Sequence, residues 1–403
     1  MVIGIIGGGA SGMAAALSAA ENENVQVLLF ERQARVGRKL LATGNGRCNL
    51  TNLKATGESY HGDAPEFAQF ALEAYSVEET LAWFRGMGLL TVSEDSGRVY
   101  PYSDQANSVV DVLRFALNKP NVQLITGAEV LKIKKSGGGF SVQTAEEAVF
   151  CDKLIIACGG LAGTKLGGSM AGYKLLRSMG HHATRLRPAL VQLKSEWHGC
   201  AGLKGVRANC HVAIFHGDQL HAESTGEIQF AEYGLSGPVI FEVSRDVCQG
   251  GGNWTARLDL LPSMAETALQ AELKRRSGGN LPTEELLTGI LHNRLGRVLT
   301  ASAGIRGNRS VSELTNDEIA AVCRMVKALE VNLTGTLDMD SAQVTAGGIL
   351  TEEFDPVTME SRLVAGLYAC GEVLDIDGDC GGYNLQWAWS SGRLAGKAAG
   401  GML

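Results

Sequence analysis

Val2-Ile3-Gly4-Ile5-Ile6-Gly7-Gly8-Gly9-Ala10-Ser11-Gly12 opens the chain, and a second apolar run at 25–30 ends on Glu31, nineteen residues past Gly12. A short apolar strand, a glycine turn, a small-residue helix and a second strand make a βαβ unit. Gly7 permits the tight turn after the strand. Gly9 has no Cβ, so a pyrophosphate can approach the backbone, and Gly12 lets the helix lie close on the sheet. The helix predicted from Ala10 to about residue 20 carries Ser11 in its first turn and aims its N-terminal amides at the phosphates. Glu31 stands where a carboxylate accepts hydrogen bonds from ribose hydroxyls. The unit is therefore predicted to hold a dinucleotide.

Composition bounds the rest. A chain of 403 residues suffices for two domains, or one with an insertion. It can bury roughly 75% of its unfolded surface without staples. Glycine, at 52 residues, is nearly twice its usual share of about 7%, which suits cofactor loops. A net charge of −7 disfavours nucleic acid as the main partner, because phosphate contacts need a basic surface. Nine cysteines without a CxxC pair point to a reduced compartment. No Cys/His spacing suits zinc, and no metal is expected. The apolar start lacks a basic n-region and is broken by glycines, so it does not read as a signal peptide. With no apolar run of about 18 residues, a soluble, cytoplasmic protein without a membrane span is expected.

Along the chain, 60–90 reads as helical, with Phe67, Phe70, Leu72, Tyr75, Leu81, Trp83 and Phe84 at mixed spacing of three and four, ended by Gly86 and Gly88. A helix follows at 107–117. Stretches 122–125, 129–134, 140–144 and 148–150 alternate as a small meander. Residues 153–158 read as a buried parallel strand running into Gly159-Gly160, followed by a helix at 172–179. From 188 to 343 the character changes: alternating strands at 206–215, 227–230 and 255–260, helical patches at 263–276 and 316–329, and no second GxGxxG unit. A strand at 366–370 then leads to Gly371-Glu372, and Gly381-Gly382-Tyr383-Asn384-Leu385 opens a long terminal helix to about 399. The predicted architecture is α/β: a discontinuous Rossmann-type domain at 1–187 and 344–403, and an inserted β-rich substrate or cap domain with a small helical part at 188–343.

The glycine turns speak together. Residues 7–12, 37–46, Gly159-Gly160, Gly371-Glu372 and Gly381-Gly382 all fall at strand ends or helix starts. In an open parallel sheet, ligands bind at the carboxyl ends of the strands. A ligand reaching all these turns is long, and FAD fits better than NAD. The start of the last helix, near Gly382-Tyr383-Asn384, can meet a flavin's pyrimidine edge, where its dipole favours negative charge on the reduced ring. Arg32, Arg35, Arg38, Lys39 and Arg47 place five cations within sixteen residues. They suit the FAD pyrophosphate or a second phosphate-bearing cofactor; the competing reading is a solvated basic loop.

Two long motifs carry a family resemblance. Gly37-Arg38-Lys39-Leu40-Leu41-Ala42-Thr43-Gly44-Asn45-Gly46-Arg47-Cys48-Asn49-Leu50-Thr51-Asn52 resembles a signature of the BaiN-like flavoproteins, also called aminoacetone-oxidase-like. So does the closing series of Gly347-Gly348, Thr358-Met359-Glu360-Ser361, Gly366-Leu367-Tyr368, Gly371-Glu372-Val373-Leu374-Asp375 and the run from Gly381 to Ala388. The resemblance spans the chain. It implies a glutathione-reductase-type FAD fold with an inserted β-rich domain, and NAD(P)H- or amine-linked redox chemistry. It places Gly7, Gly9, Ala10, Ser11, Gly12, Glu31, Arg32, Lys39 and Leu40 on FAD, with Val130 at the adenine through its backbone, and Gly371, Asp375, Asn384 and Leu385. Thr43, Gly44, Asn45, Gly46, Arg47, Cys48 and Asn49 of the motif join them as candidates, as do Ala157, Cys158, Gly159, Glu372, Gly382 and Tyr383. Where the family often has Ser-Thr-Gly-Asp-Gly-Tyr, this chain has Gly168-Ser169-Met170-Ala171-Gly172-Tyr173, which lacks the acid.

Cys48 has no resolving cysteine nearby in sequence; Cys380 could reach it only through the fold, and a packed thiol is the preferred reading. Tyr383 is a candidate proton donor, or a residue that merely covers the ring. Tyr100 and Tyr102 are candidates for a pocket wall, and Trp387 and Trp389 for the core. The leading functional reading is an FAD-dependent reductase. NAD(P)H, docking transiently because there is one Rossmann unit, would reduce the flavin and then the C=C bond of an unsaturated ketone. The resemblance suggests a steroid or bile-acid 3-oxo intermediate. The alternative is an aminoacetone-type amine oxidase producing hydrogen peroxide. A flavin-binding protein with a regulatory or RNA-related role is a third reading, disfavoured by the acidic balance. The sequence leaves the oligomeric state open.

Overall fold

The computed structural model describes residues 1–403, which divide into two compact units, Met1–Arg187 with Gln343–Leu403, and Pro188–Ala342.

The first unit is built on five parallel strands in the order Leu367–Ala369, Lys153–Ile156, Val2–Ile6, Gln26–Glu31 and Val122–Thr126. Val2–Ile6 is central, and the chain leaves it to one side and later returns on the other. That reversal opens a crevice at the strands' carboxyl ends. Ile3, Ile5, Leu29 and Ile155 are fully buried, as near-continuous apolar strands in a covered sheet require. The helix Ala10–Ala19 is buried on nearly every side; its alanines let it sit between the sheet and the terminal helix Tyr383–Ala399. An antiparallel meander, Val130–Ser136, Gly139–Thr144 and Ala148–Cys151, forms a separate sheet.

Two expectations shift here. The 122–125 stretch belongs to the parallel sheet, where it pairs with Gln26–Glu31, and not to the meander. The 60–90 region is broken: Tyr60–His61 is a strand paired with Asp377–Gly378, and helices Gln69–Ala74 and Val77–Gly86 follow. Ser76 explains the break, because its hydroxyl accepts the Glu79 N–H and starts a new helix.

The second unit is a closed six-stranded barrel in the order Leu193–Ser195, Gly234–Ser236, Gln219–Ala231, Arg207–His216, Trp254–Asp259 and Leu329–Thr336. Alternate residues of Leu329–Thr336 are buried, the period of a strand with one face on a core. Helices Pro238–Val247, Glu266–Arg276, Asn293–Ser302 and Asn316–Lys327 accompany it, the last opened by a Thr315/Glu318 capping box. The unit is β-rich with a helical part. The sequence pattern missed the strands Leu193–Ser195, Gly234–Ser236 and Leu329–Thr336 and the helices Pro238–Val247 and Asn293–Ser302, and it read the long hairpin arm as 227–230, because its first half is polar and largely exposed.

Candidate functional site

The crevice is framed by the turn at 7–12. Gly7 has φ +112°, and a Cβ there would stand 2.4 Å from the Ala157 carbonyl oxygen. A Cβ on Gly12 would stand 1.8 Å from the Gly7 oxygen, so no larger residue fits. Gly9 differs: a Cβ there would meet nothing within 4 Å, and the same holds at Gly159, at the end of the neighbouring strand. The backbone at Gly9 thus lies bare to the crevice at the N-terminus of Ala10–Ala19. No side chain caps that terminus, and no acid sits in its first turn, which leaves amide donors and positive dipole for an anion.

Glu31 closes one side. One carboxylate oxygen accepts the Gly8 N–H at 2.7 Å and the other the Gln33 N–H at 2.7 Å. Each oxygen keeps lone pairs for a ribose hydroxyl. Val130, buried, begins the meander two residues after Ala128, whose N–H donates to the Glu31 carbonyl. Arg32 donates to the Gly167 carbonyl at 2.6 Å. Lys39 pairs with Glu372 at 2.8 Å, and Glu372 also accepts the Thr345 N–H at 2.9 Å. This bridge ties the basic loop to the C-terminal segment.

That segment arrives against the first helix. Gly371, at φ +76°, lies so close that a Cβ would stand 2.5 Å from the Ser11 hydroxyl. Its N–H donates to Ser391 Oγ of the terminal helix. Gly392 and Gly396 pack that helix against the Ser11 and Ala15 carbonyls. The terminal helix starts at Gly382, φ +105°, again with no side-chain cap and no acid in the first turn. The start of the terminal helix is thus a second uncapped, electropositive helix end. Ala157 is buried, and Cys158 donates its thiol proton to the Ile6 carbonyl, burial pushing its pKa up to about 12. Asp375 is buried, accepts the Asp63 N–H, and is raised above the usual carboxylate range by that burial.

Other candidates are differently disposed. Arg47 lies over the Tyr100 ring at 3.9 Å and pairs with Asp104 and Glu94, so its charge is already answered on an exposed loop. Gly44, Asn45 and Gly46 are exposed and left-handed, and Thr43 precedes them in extended conformation. Leu40 is buried. Cys48 is fully buried, and burial pushes its thiol up to about 11; all nine cysteines are unbridged. Asn49 is buried beside Gly382 with its carbonyl oxygen unpartnered and closed off. The Asn384 amide bonds both the N–H and the carbonyl of Gly378, so it staples the loop before the terminal helix. Tyr383 and Leu385 are half-buried. Trp387 and Trp389 are core residues, with Trp389 donating to the Leu50 carbonyl. Sequence reasoning passed over Thr345, whose hydroxyl accepts the Leu161 and Ala162 N–H groups, and the His61–Asp379 pair. Neither lies in a local pattern.

The arrangement fits FAD. The open backbone at Gly9 suits a pyrophosphate, Glu31 a ribose, and the terminal helix's start the polar edge of a flavin. No helix is long and apolar enough to cross a membrane.

The profile of the HI0933-like protein Rossmann domain matches residues 1–398. A 3-dehydro-bile acid delta(4,6)-reductase of Clostridium scindens is 43% identical over 98% of both chains. A ribosomal RNA dihydrouridine synthase of Escherichia coli is 32% identical over 96% of this chain and 95% of its own. Among solved structures, a 3-ketosteroid delta1-dehydrogenase from Sterolibacterium denitrificans aligns over 99% of each chain at 13% identity and a TM-score of 0.49.

Proposed function

The chain belongs to the HI0933-like Rossmann family of FAD-binding oxidoreductases, and on that premise we propose that it reduces the carbon–carbon double bond of an unsaturated ketone, a steroid-like 3-oxo compound first among candidates, with NAD(P)H as transient reductant. The observation that carries the cofactor reading is the bare Gly9 backbone, with Glu31 and the Gly371 turn beside it, at the carboxyl ends of the parallel strands. The reaction is supported by the bile-acid reductase, alike over its whole length. Dihydrouridine is uridine with its C5=C6 bond reduced, beside a carbonyl, so both named relatives act on the same type of bond.

When bound, FAD supplies hydride transfer. The chain's own part is to hold and orient. The first helix and Gly9 would bind the pyrophosphate, Glu31 the adenosine ribose, and Asp375 hydroxyls of the linker. The uncapped start of the terminal helix would stabilise negative charge at the ring's polar edge.

A second reading, reduction of a uridine in ribosomal RNA, is favoured by the 32% identical relative and opposed by the net charge of −7. One anaerobic experiment separates them. Yellow protein is mixed with NADH or NADPH, then with a delta-4 or delta-4,6 3-oxo bile acid, or with ribosomal RNA lacking dihydrouridine. Bleaching by a nucleotide and recovery with the enone is the expected result. Recovery with RNA alone establishes the second reading, and bleaching by an aminoketone with peroxide on aeration restores the oxidase.

A further inference from the structure

Conjugate reduction needs a proton at the α-carbon as well as a hydride at the β-carbon. We propose that His61 donates that proton and that Asp379 positions it; the assignment rests on the reductase reading above.

The strand Tyr60–His61 pairs antiparallel with Asp377–Gly378, His61 opposite Asp377. This sets His61 beside the loop that turns through Gly381 and Gly382 into the terminal helix. A Cβ on Gly378 would stand 2.8 Å from Tyr383 Cβ and 3.2 Å from the Tyr60 ring, so these residues form one layer at the helix start. His61 Nε2 lies 2.7 Å from Asp379 Oδ1. A carboxylate on one ring nitrogen fixes the tautomer and aims the other, which leaves Nδ1 for the substrate. The His61 side chain is 31% exposed, which opens it to water for reprotonation.

The neighbouring acids serve less well. Tyr60 is buried, donates its hydroxyl proton to the Tyr383 carbonyl at 3.1 Å, and is pushed far above its ordinary range by burial. Asp375 is buried and accepts the Asp63 N–H. A Cβ on Gly62 would stand 2.2 Å from the Asp375 main-chain carbonyl oxygen, so the backbone just after His61 is packed closely against that segment.

In the step, a hydride originating from NAD(P)H brings its electron pair to the β-carbon. The π pair shifts toward the carbonyl as an enolate. The α-carbon then takes the Nδ1 proton of His61, which acts as the imidazolium; its N–H bond electrons return to the ring and leave the neutral imidazole. Nε2–H stays on Asp379, and water restores the lost proton.

The test uses flavin-loaded H61Q, D379N and Y383F, photoreduced without air and mixed with an enone or with a nitroalkene of similar shape. A nitroalkene accepts hydride and leaves as a stable nitronate, so it needs no acid. H61Q is expected to reoxidise normally with the nitroalkene and about 100-fold more slowly with the enone, with D379N showing a smaller split. If H61Q loses its flavin, H61N is read in its place. An unchanged enone rate in the His61 variant, or the split appearing in Y383F instead, overturns the assignment. A wild-type flavin inert to both acceptors overturns the reductase reading and this assignment with it.

Discussion

Gly9 and Gly12 stand three residues apart and are constrained by opposite surroundings. At Gly12 a Cβ collides with the Gly7 carbonyl; at Gly9 it enters open crevice. Gly12→Ala is therefore expected to destabilise the FAD-free protein by about 1–3 kcal/mol, as overpacking does, whereas Gly9→Val keeps its stability and weakens FAD. Urea unfolding of both, beside an FAD titration, checks this, and a Gly12→Ala protein as stable as wild type would contradict it. Glu31→Ala removes a charged acceptor worth about 1.5–3 kcal/mol, so FAD affinity should fall about 10-fold to 150-fold by calorimetry; an unchanged Kd refutes the ribose role. These residues were legible because their work is local: a turn, a close approach, an acid at a strand end. His61 and Asp379 were not, since 318 positions separate them and only strand pairing unites them.

Elements explain both the successes and the errors of the sequence pattern. The first helix read correctly because small residues follow a glycine turn. Val122–Thr126 was grouped with the meander because burial from a parallel neighbour leaves no mark in a five-residue run. The contact of His181 with Glu353 adds a testable pH response. His181 is buried, stacked on Phe354, and bonded to Glu353 and Ser361. Burial outweighs the Glu353 partner and lowers its pKa below the ordinary 6.5. The unfolded chain then takes up this proton first, so stability is complete above the unfolded value and declines as pH falls below it. The urea midpoint should drop between about pH 7.5 and 5.5, with a smaller drop in His181→Gln. Equal slopes in the two proteins would show that His181 carries none of it.

At the scale of the molecule, the second unit has its own core inside a closed barrel. Leu193–Ser195 pairs with Leu329–Thr336, so the unit's first and last strands lie side by side, as in an inserted domain. Residues 188–342 made alone are expected to unfold cooperatively with β-rich circular dichroism; a disordered spectrum would show that the barrel depends on the rest of the chain. The central claim is that turns far apart in sequence converge on one FAD. Calorimetric titration of the flavin-stripped protein with FAD tests it most directly. One equivalent bound, with the protein turning yellow and the heat lost in Gly9→Val, is the predicted result. A protein that stays colourless and gives no heat with FAD would contradict it.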